Sequence, residues 1–318
     1  MMTGVSSASR SRYADLVRLL LRYGRSDLLA GARLDELAGT GPASDGDADT
    51  AERFAADLEA MGPTYIKMGQ LLSTRFDLLP AEYTEALTRL QDTVAPFPFE
   101  EVREIIESEL GARIKDLFAE FSEEPIAAAS LGQVHRAVTR TGRDVVVKVQ
   151  RPDVRETVRE DMEVLGKLAG TADRRTSLGK QYGLAQLLDQ FRRSLVGELD
   201  YRREAKNLLR FIDLTTAYDL LVVPEPVLQL TTSRVLTMER IEGRKVTDLG
   251  PLSLIELDSR PIVEQLFGCY LRMILDEGVL QAEPHPGNLL VTDDSRLALL
   301  DGPAPGAAAR REAAPRDQ

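Results

Sequence analysis

Residues 144–150 read DVVVKVQ. Valines at 145, 146, 147 and 149 predict an apolar strand, because β-branched side chains suit the pleated backbone. Lys148 interrupts it. An ammonium group in a protein interior is expensive unless a carboxylate meets it. The chain must therefore bring an acidic side chain to Lys148. The stretch GELDYRREAKN offers Glu198, Asp200 and Glu204. Read as one helix running from about Leu184 to Tyr218, it places Asp200 and Glu204 on one face and Glu198 elsewhere. Taken alone, this segment is equally compatible with a lysine that reaches solvent from an edge strand and carboxylates on a solvated face.

The strand has a partner immediately before it. SLGQVHRAV and RDVVVKVQ flank the turn RTG, a hairpin signal. Ahead of the hairpin lie Ala127, Ala128, Ala129 and Ser130. A turn of small residues lets backbone N–H groups approach phosphate oxygens, and a lysine on the returning strand neutralises phosphate charge. An alanine-rich turn alone is a weak motif.

A second cluster lies in QAEPHPGNLLVTDDSRLALLD, which holds Glu283, Asn288 and Asp301. Kinase catalytic loops place an asparagine five residues after the catalytic aspartate, and Asn288 is five residues after Glu283. Asp301 follows the strand-like pair NLLV and LALL, where a kinase sets its metal-binding aspartate. Asn and Asp supply the oxygen ligands that Mg²⁺ requires when it bridges the phosphates of ATP. Each residue singly reads as a loop residue near Pro and Gly. The order, downstream of a strand lysine and a carboxylate-rich helix, argues against coincidence.

Elsewhere the chain reads as helices, then strands with a helix, then helices again, an α+β order. A helix is expected from Asp49, with Asp49 and Glu52 at capping-box spacing and Phe54, Leu58 and Met61 on one face. Another begins near Pro80, and residues 99 to 121 are expected to form one helix or two, with strands starting at about 125. His135 reads as a surface or packing residue, His285 as a residue that orients its loop, and Cys269 as core. The divisions expected are 1–48 (helix and linker), 49–124 (helical), 125–242 (β-rich with a long helix), 243–301 (helical, with the two loops) and 302–318 (a tail).

Composition narrows the function. The net charge of −11 argues against a nucleic-acid partner and against electrostatic docking on an anionic membrane, unless a local basic patch provides it. One cysteine and two distant histidines exclude a disulfide framework and a thiolate or histidine-rich metal site. No apolar run approaches the roughly 20 residues of a membrane span, so a cytoplasmic, soluble protein is expected, with peripheral membrane association as the alternative.

These motifs together resemble the UbiB/AarF (ADCK-type) family of atypical kinase-like proteins over roughly residues 50 to 301. KMGQ at 67–70 is similar to that family's KxGQ signature, AAAS at 127–130 to its alanine-rich loop, ELDYRREAKN to its ExD signature, and PHPGN to the end of its catalytic loop. The resemblance implies a protein-kinase-like fold carrying a helical KxGQ extension. It implies that Lys67 meets Glu198 or Asp200, that Gln70 faces the phosphates, and that Lys148, paired with Glu204, holds them. It further implies that backbone atoms of Glu239 to Ile241 bind adenine, that Asn288 and Asp301 hold Mg²⁺, and that Glu283 stands at the catalytic aspartate's position. The implied ligands are ATP and Mg²⁺, and the implied partner is a lipid or a protein of isoprenoid-quinone metabolism.

The sequence departs from that pattern. Gln281 and Glu283 stand where the family has His and Asp, and the metal motif reads DGP. Glutamate keeps the charge on an arm one methylene longer, and a displacement of about 1 Å costs about 100-fold in rate. Seventeen residues rich in Ala, Pro, Arg and Gly follow Asp301, and such a tail cannot build a core. A truncated or frame-shifted family member is the expectation. Either an ATP-dependent kinase or ATPase, or an impaired pseudokinase or nucleotide-binding scaffold, fits these residues, as does a decayed fragment or helical interaction module with no nucleotide site.

Overall fold

The computed structural model describes residues 12, 16, 18, 19, 22, 23, 48–90, 94–175, 182–250, 259–275 and 286–301. Its elements, in chain order, are helices α1 (Ala48–Met61), α2 (Pro63–Ser73), α3 (Ala81–Thr88), α4 (Phe99–Leu110) and α5 (Ile114–Leu117). Strands β1 (Phe118–Ala128), β2 (Gly132–Thr139) and β3 (Asp144–Gln150) follow, then helices α6 (Val154–Arg175), α7 (Leu184–Glu198) and α8 (Tyr201–Thr215). Strands β4 (Leu221–Val222), β5 (Val235–Glu239) and β6 (Arg244–Lys245), helix α9 (Ser259–Leu275) and strands β7 (Leu289–Val291) and β8 (Leu297–Leu299) complete it. The mixed helix and sheet content agrees with the α+β expectation.

The chain forms two compact units. The first comprises Met1–Pro98, Ala127–Gln133 and Gln150–Leu199, and the second Phe99–Ile126, Val134–Val149 and Asp200–Gln318. In the first, Gly62 turns the chain with φ 103°, and Pro63 opens α2 in the first turn, where proline's missing N–H is not needed. Helix α2 packs against α1, α3, α6 and α7. Leu16, Leu19, Tyr23, Phe54, Leu58, Tyr65, Tyr83 and Leu87 form one core of this unit, with edge-to-face pairs Tyr23–Phe54 and Phe54–Tyr83. Leu131, Val158, Met162, Phe191 and Leu195 form another.

The second unit holds a sheet of order β1-β2-β3-β5 and a smaller one of order β4-β8-β7-β6. Strand β5 runs antiparallel to β3 with Lys148 opposite Leu236. The apolar face of α8 (Tyr201, Ala205, Leu208, Phe211) joins Val146, Leu236, Met238, Cys269, Met273, Leu297 and Leu299 in the core. Cys269 is buried, as expected. The β7–β8 hairpin is antiparallel, in the place expected of NLLV and LALL.

Three expected features are corrected. Asp49 does not cap α1, which begins at Ala48; its carboxylate pairs with Arg53 one turn on, and Glu52 pairs with Arg89. The first strand begins at Phe118, not near 125. Its glutamates hid it, because an edge strand exposes most of its side chains and so carries charge without cost. The expected 184–218 helix breaks after Glu198. Asp200 has extended backbone (φ −117°, ψ 93°), and its side chain accepts a hydrogen bond from Arg202 N–H. Asp200 is therefore an N-cap, and the shared face expected for Asp200 and Glu204 does not exist.

Candidate functional site

In the second unit, β3 carries Lys148 among valines, and α8 carries Glu204 one turn after its Asp200 cap. Lys148 Nζ donates to Glu204 Oε1 at 2.8 Å and to Oε2 at 3.0 Å. Both side chains are largely buried, 28% and 19% exposed. The ammonium also lies 4.9 Å from the centre of the Tyr201 ring, a favourable contact with the negative face of the aromatic system. Burial pushes the Lys148 pKa down, but the charge of Glu204, with Tyr201 and Asp301 behind it, overcomes that, and the net shift is upward. The charged form of Lys148 is therefore favoured, with Asp301 adding to the upward shift.

Asn288 closes a short 3₁₀ turn (Pro286–Asn288) ahead of β7, and Asp301 follows β8. The Asn288 amide donates to the Asp301 carboxylate, and Leu300 N–H donates to Asn288 O at 3.0 Å. The β7–β8 hairpin thus brings together two side chains thirteen residues apart. Their oxygens fit a hard cation such as Mg²⁺, which takes one or two protein oxygens and fills its shell with water and phosphate. Among the described residues no group of three His, Cys, Asp or Glu side chains gathers to hold a metal alone. Gln281, Glu283 and His285 lie outside the described residues.

The resemblance implies an adenine contact at the backbone of Glu239 to Ile241, at the end of β5. Arg240 N–H donates to Asp144 O at 3.2 Å, which makes Arg240–Asp144 a hydrogen-bonded pair and turns the Glu239 N–H and C=O away from β3. The Glu239 N–H donates to Glu225 O at 2.9 Å. The polar edge that remains for a ligand is the Glu239 carbonyl together with Ile241.

In the first unit, Lys67 on α2 lies 3.3 Å from Glu198 at the end of α7, Nζ to Oε2. Of the two carboxylates the resemblance offered to Lys67, the structure pairs it with Glu198. Gln70 Nε2 donates to Leu90 O at 3.4 Å. Gly69 stands where α2 crowds its neighbours. A Cβ there would collide with Leu90 Cδ1 and sit 3.3 Å from methyls of Leu58 and Leu87. Ala127 and Ala128 end β1, and the turn closes with Ala129 N–H donating to Gly132 O at 2.7 Å. Ser130 is buried.

His135 is buried in the second unit, its ring stacked on Phe121 and Nδ1 2.8 Å from Ser122 O. It is a packing residue, not a surface one. Tyr201, Gln150 and Arg151 were missed. Tyr201 had one legible signal, an aromatic directly after the acidic cap of the helix that serves Lys148. The other two act on backbone carbonyls, which leave no pattern in a sequence.

The ABC1 atypical kinase-like domain model matches residues 89–312. The chain is 43% identical over 244 residues to the uncharacterized protein sll0005 of Synechocystis, covering 77% of this chain and 36% of that protein. It is 38% identical over 243 residues to the probable protein kinase UbiB of Cellvibrio japonicus, covering 76% and 44%. Among solved structures it is similar to Rv3197 of Mycobacterium tuberculosis, solved in complex with erythromycin, with a TM-score of 0.53 and 29% identity over 74% of this chain and 60% of that one. The chain spans less than half the length of these curated relatives. No helix among the described residues is long and apolar enough to cross a membrane. With its domain model matched over well over half of the residues, the chain belongs to the ABC1 family of atypical kinase-like proteins, the UbiB/AarF (ADCK) type.

Proposed function

We propose that this chain is an ATP-binding, kinase-like protein of the UbiB type, in which Lys148 neutralises nucleotide phosphates and Asn288 and Asp301 hold Mg²⁺. The observation that carries the reading is the doubly hydrogen-bonded Lys148–Glu204 pair, set in the same unit as the hydrogen-bonded Asn288–Asp301 pair. A cation held in a fixed place by one carboxylate, beside a second carboxylate suited to metal, is the charge arrangement that a magnesium–triphosphate needs. Bound there, the metal would neutralise phosphate charge, with the Asn288 amide oxygen and the Asp301 carboxylate as its protein ligands.

In this reading the turn at Ala127, Ala128, Ala129 and Ser130 lies against phosphate oxygens, with its backbone N–H groups as donors other than that of Ala129, which is bonded to Gly132 O. The Glu239 carbonyl and Ile241 N–H meet the polar edge of adenine, and Lys67 and Gln70 belong to a helix that excludes peptide substrates. Glu283 is the candidate catalytic carboxylate. The acceptor class that fits is a small or lipid-like molecule of isoprenoid-quinone metabolism, with peripheral membrane association, or water in a plain ATPase.

A second reading, nucleotide binding without turnover, is favoured by one observation, the glutamate at 283 in QAEPHPGN. Titration of purified protein with Mg-ATP, followed by a phosphate-release assay, separates the two. Binding that vanishes in Lys148→Ala and Asp301→Asn, with phosphate released by the parent chain, supports an enzyme. The same binding with no release supports a scaffold. A parent chain that never binds Mg-ATP refutes both.

A further inference from the structure

The residues that close β3 connect two segments of the first unit. Gln150, fully buried, donates through Nε2 to Leu199 O at 3.0 Å. Arg155 Nη2 donates to the same oxygen at 2.6 Å, and Arg155 Nε to Gln150 Oε1 at 2.8 Å. Leu199 is the C-cap of α7, directly after Glu198. Carbonyls at a helix C-terminus lack partners within the helix, and here two side-chain donors converge on one of them. The helix end that presents Glu198 to Lys67 is thereby fixed.

Arg151, the next residue, does the same for the alanine turn. Its Nε donates to Ala129 O at 3.0 Å, its Nη2 to Ala95 O at 2.7 Å, and its backbone N–H to Leu131 O at 2.9 Å. The guanidinium lies 5.5 Å from the centre of the Phe97 ring. Phe97 is held in turn by both amide atoms of Gln133, its N–H donating to Oε1 at 2.9 Å and its carbonyl accepting from Nε2 at 3.2 Å. No carboxylate pairs with Arg151 among the described ion pairs. Only a planar fork can span two carbonyls 34 residues apart in this way, and a lysine is a single point charge.

We propose that Gln150 and Arg151 are positioning residues, a two-residue brace that fixes the alanine turn and the Glu198–Leu199 helix end from the last residue of β3 and the one after it. The consequence for ligand binding rests on the nucleotide reading above; the brace itself does not. The alanine turn is assigned to the nucleotide site and Glu198 holds Lys67, which that reading also uses, so loosening either segment spoils placement rather than charge.

The test compares the parent chain with Arg151→Lys and Gln150→Leu, in three measurements. Thermal midpoints establish folding. Hydrogen–deuterium exchange reads the amides of Ala129 and Leu199. Mg-ATP titration reads affinity. Arg151→Lys is expected to speed exchange at Ala129 and to weaken Mg-ATP binding by about tenfold. Gln150→Leu is expected to speed exchange at Leu199 and to weaken binding similarly. If Gln150→Leu does not fold, Arg155→Met removes a donor to the same carbonyl from an exposed side chain and gives the same exchange readout. Folded variants with unchanged exchange at both amides overturn the brace. Faster exchange with unchanged Mg-ATP affinity overturns its positioning role. A parent chain that binds no Mg-ATP, with faster exchange in the variants, overturns the nucleotide reading and leaves the brace standing.

Discussion

Lys67 Nζ lies 3.3 Å from Glu198 Oε2, tying helix α2 to the end of helix α7. The carboxylate is 37% exposed, and ion pairs open to solvent contribute little because water and salt screen them. A double-mutant cycle of Lys67→Ala and Glu198→Ala, read by urea unfolding, should give a coupling below about 1 kcal/mol. Any large loss of nucleotide affinity or turnover in these variants then reports on the site and not on folding. A coupling of several kcal/mol would show the pair to be structural.

Lys148 and Glu204 behave differently. Removing one member of a shielded pair strands the other. Lys148→Ala should cost about 3–5 kcal/mol of stability, whereas Lys148→Met with Glu204→Gln should recover most of it. Neither variant should bind Mg-ATP. Recovery of binding in the double variant would remove Lys148 from the phosphate site.

Gly69 is demanded by contact, not by backbone angle. A methyl group there meets Leu90, Leu58 and Leu87, and overpacking of this kind costs about 1–3 kcal/mol. Gly69→Ala should lower the thermal midpoint, and trimming Leu90 to Ala in the same chain should restore part of the loss. An unchanged midpoint in Gly69→Ala would mean that α2 is not pressed against α1 and α3.

Asp161 is fully buried on α6, 3.7 Å from Arg12 Nε. Burial raises its pKa above the ordinary 3.8, while Thr64 and Arg12 oppose the shift and Glu160 adds to it. The folded chain therefore holds this proton more tightly than the unfolded one. Its contribution is greatest below about pH 4 and declines as pH rises, until the folded pKa is passed. Asp161→Asn should flatten that decline in unfolding free energy measured against pH. Parallel curves for parent and variant would exclude the effect.

His135 works in the opposite sense. Burial lowers its pKa below 6.5, against the hydrogen bond to Ser122 O, so the fold prefers the neutral ring. Stability from this preference is complete above pH 6.5 and is lost as pH falls below it. His135→Phe, which keeps the stack on Phe121, should lose that acid sensitivity. A variant as acid-sensitive below pH 6.5 as the parent would assign the effect elsewhere.

Much of this was legible because a buried charge needs a partner. Lys148 within VVVKV required a carboxylate, and Glu204 in ELDYRREAKN was among the three available. Asn288 and Asp301 were placed together only by the family resemblance, as ligands of one metal ion; their direct hydrogen bond was not expected. Three features were not legible, each for a physical reason. Leu199 and Asp200 continue a helical pattern of polarity, and only backbone angles reveal that Asp200 caps. Strand β1 is rich in glutamate because edge strands tolerate charge. Gln150 and Arg151 bond to carbonyls, which every residue possesses, so nothing in their neighbours' identities announces the contact.

The surroundings of Lys148 also restrict its chemistry. An amine needs a lone pair to attack a carbonyl, form an imine or take up a proton, and Glu204, Tyr201 and Asp301 bias this nitrogen further toward its protonated form than an ordinary lysine. Acylating labels should therefore modify the exposed lysines before this one.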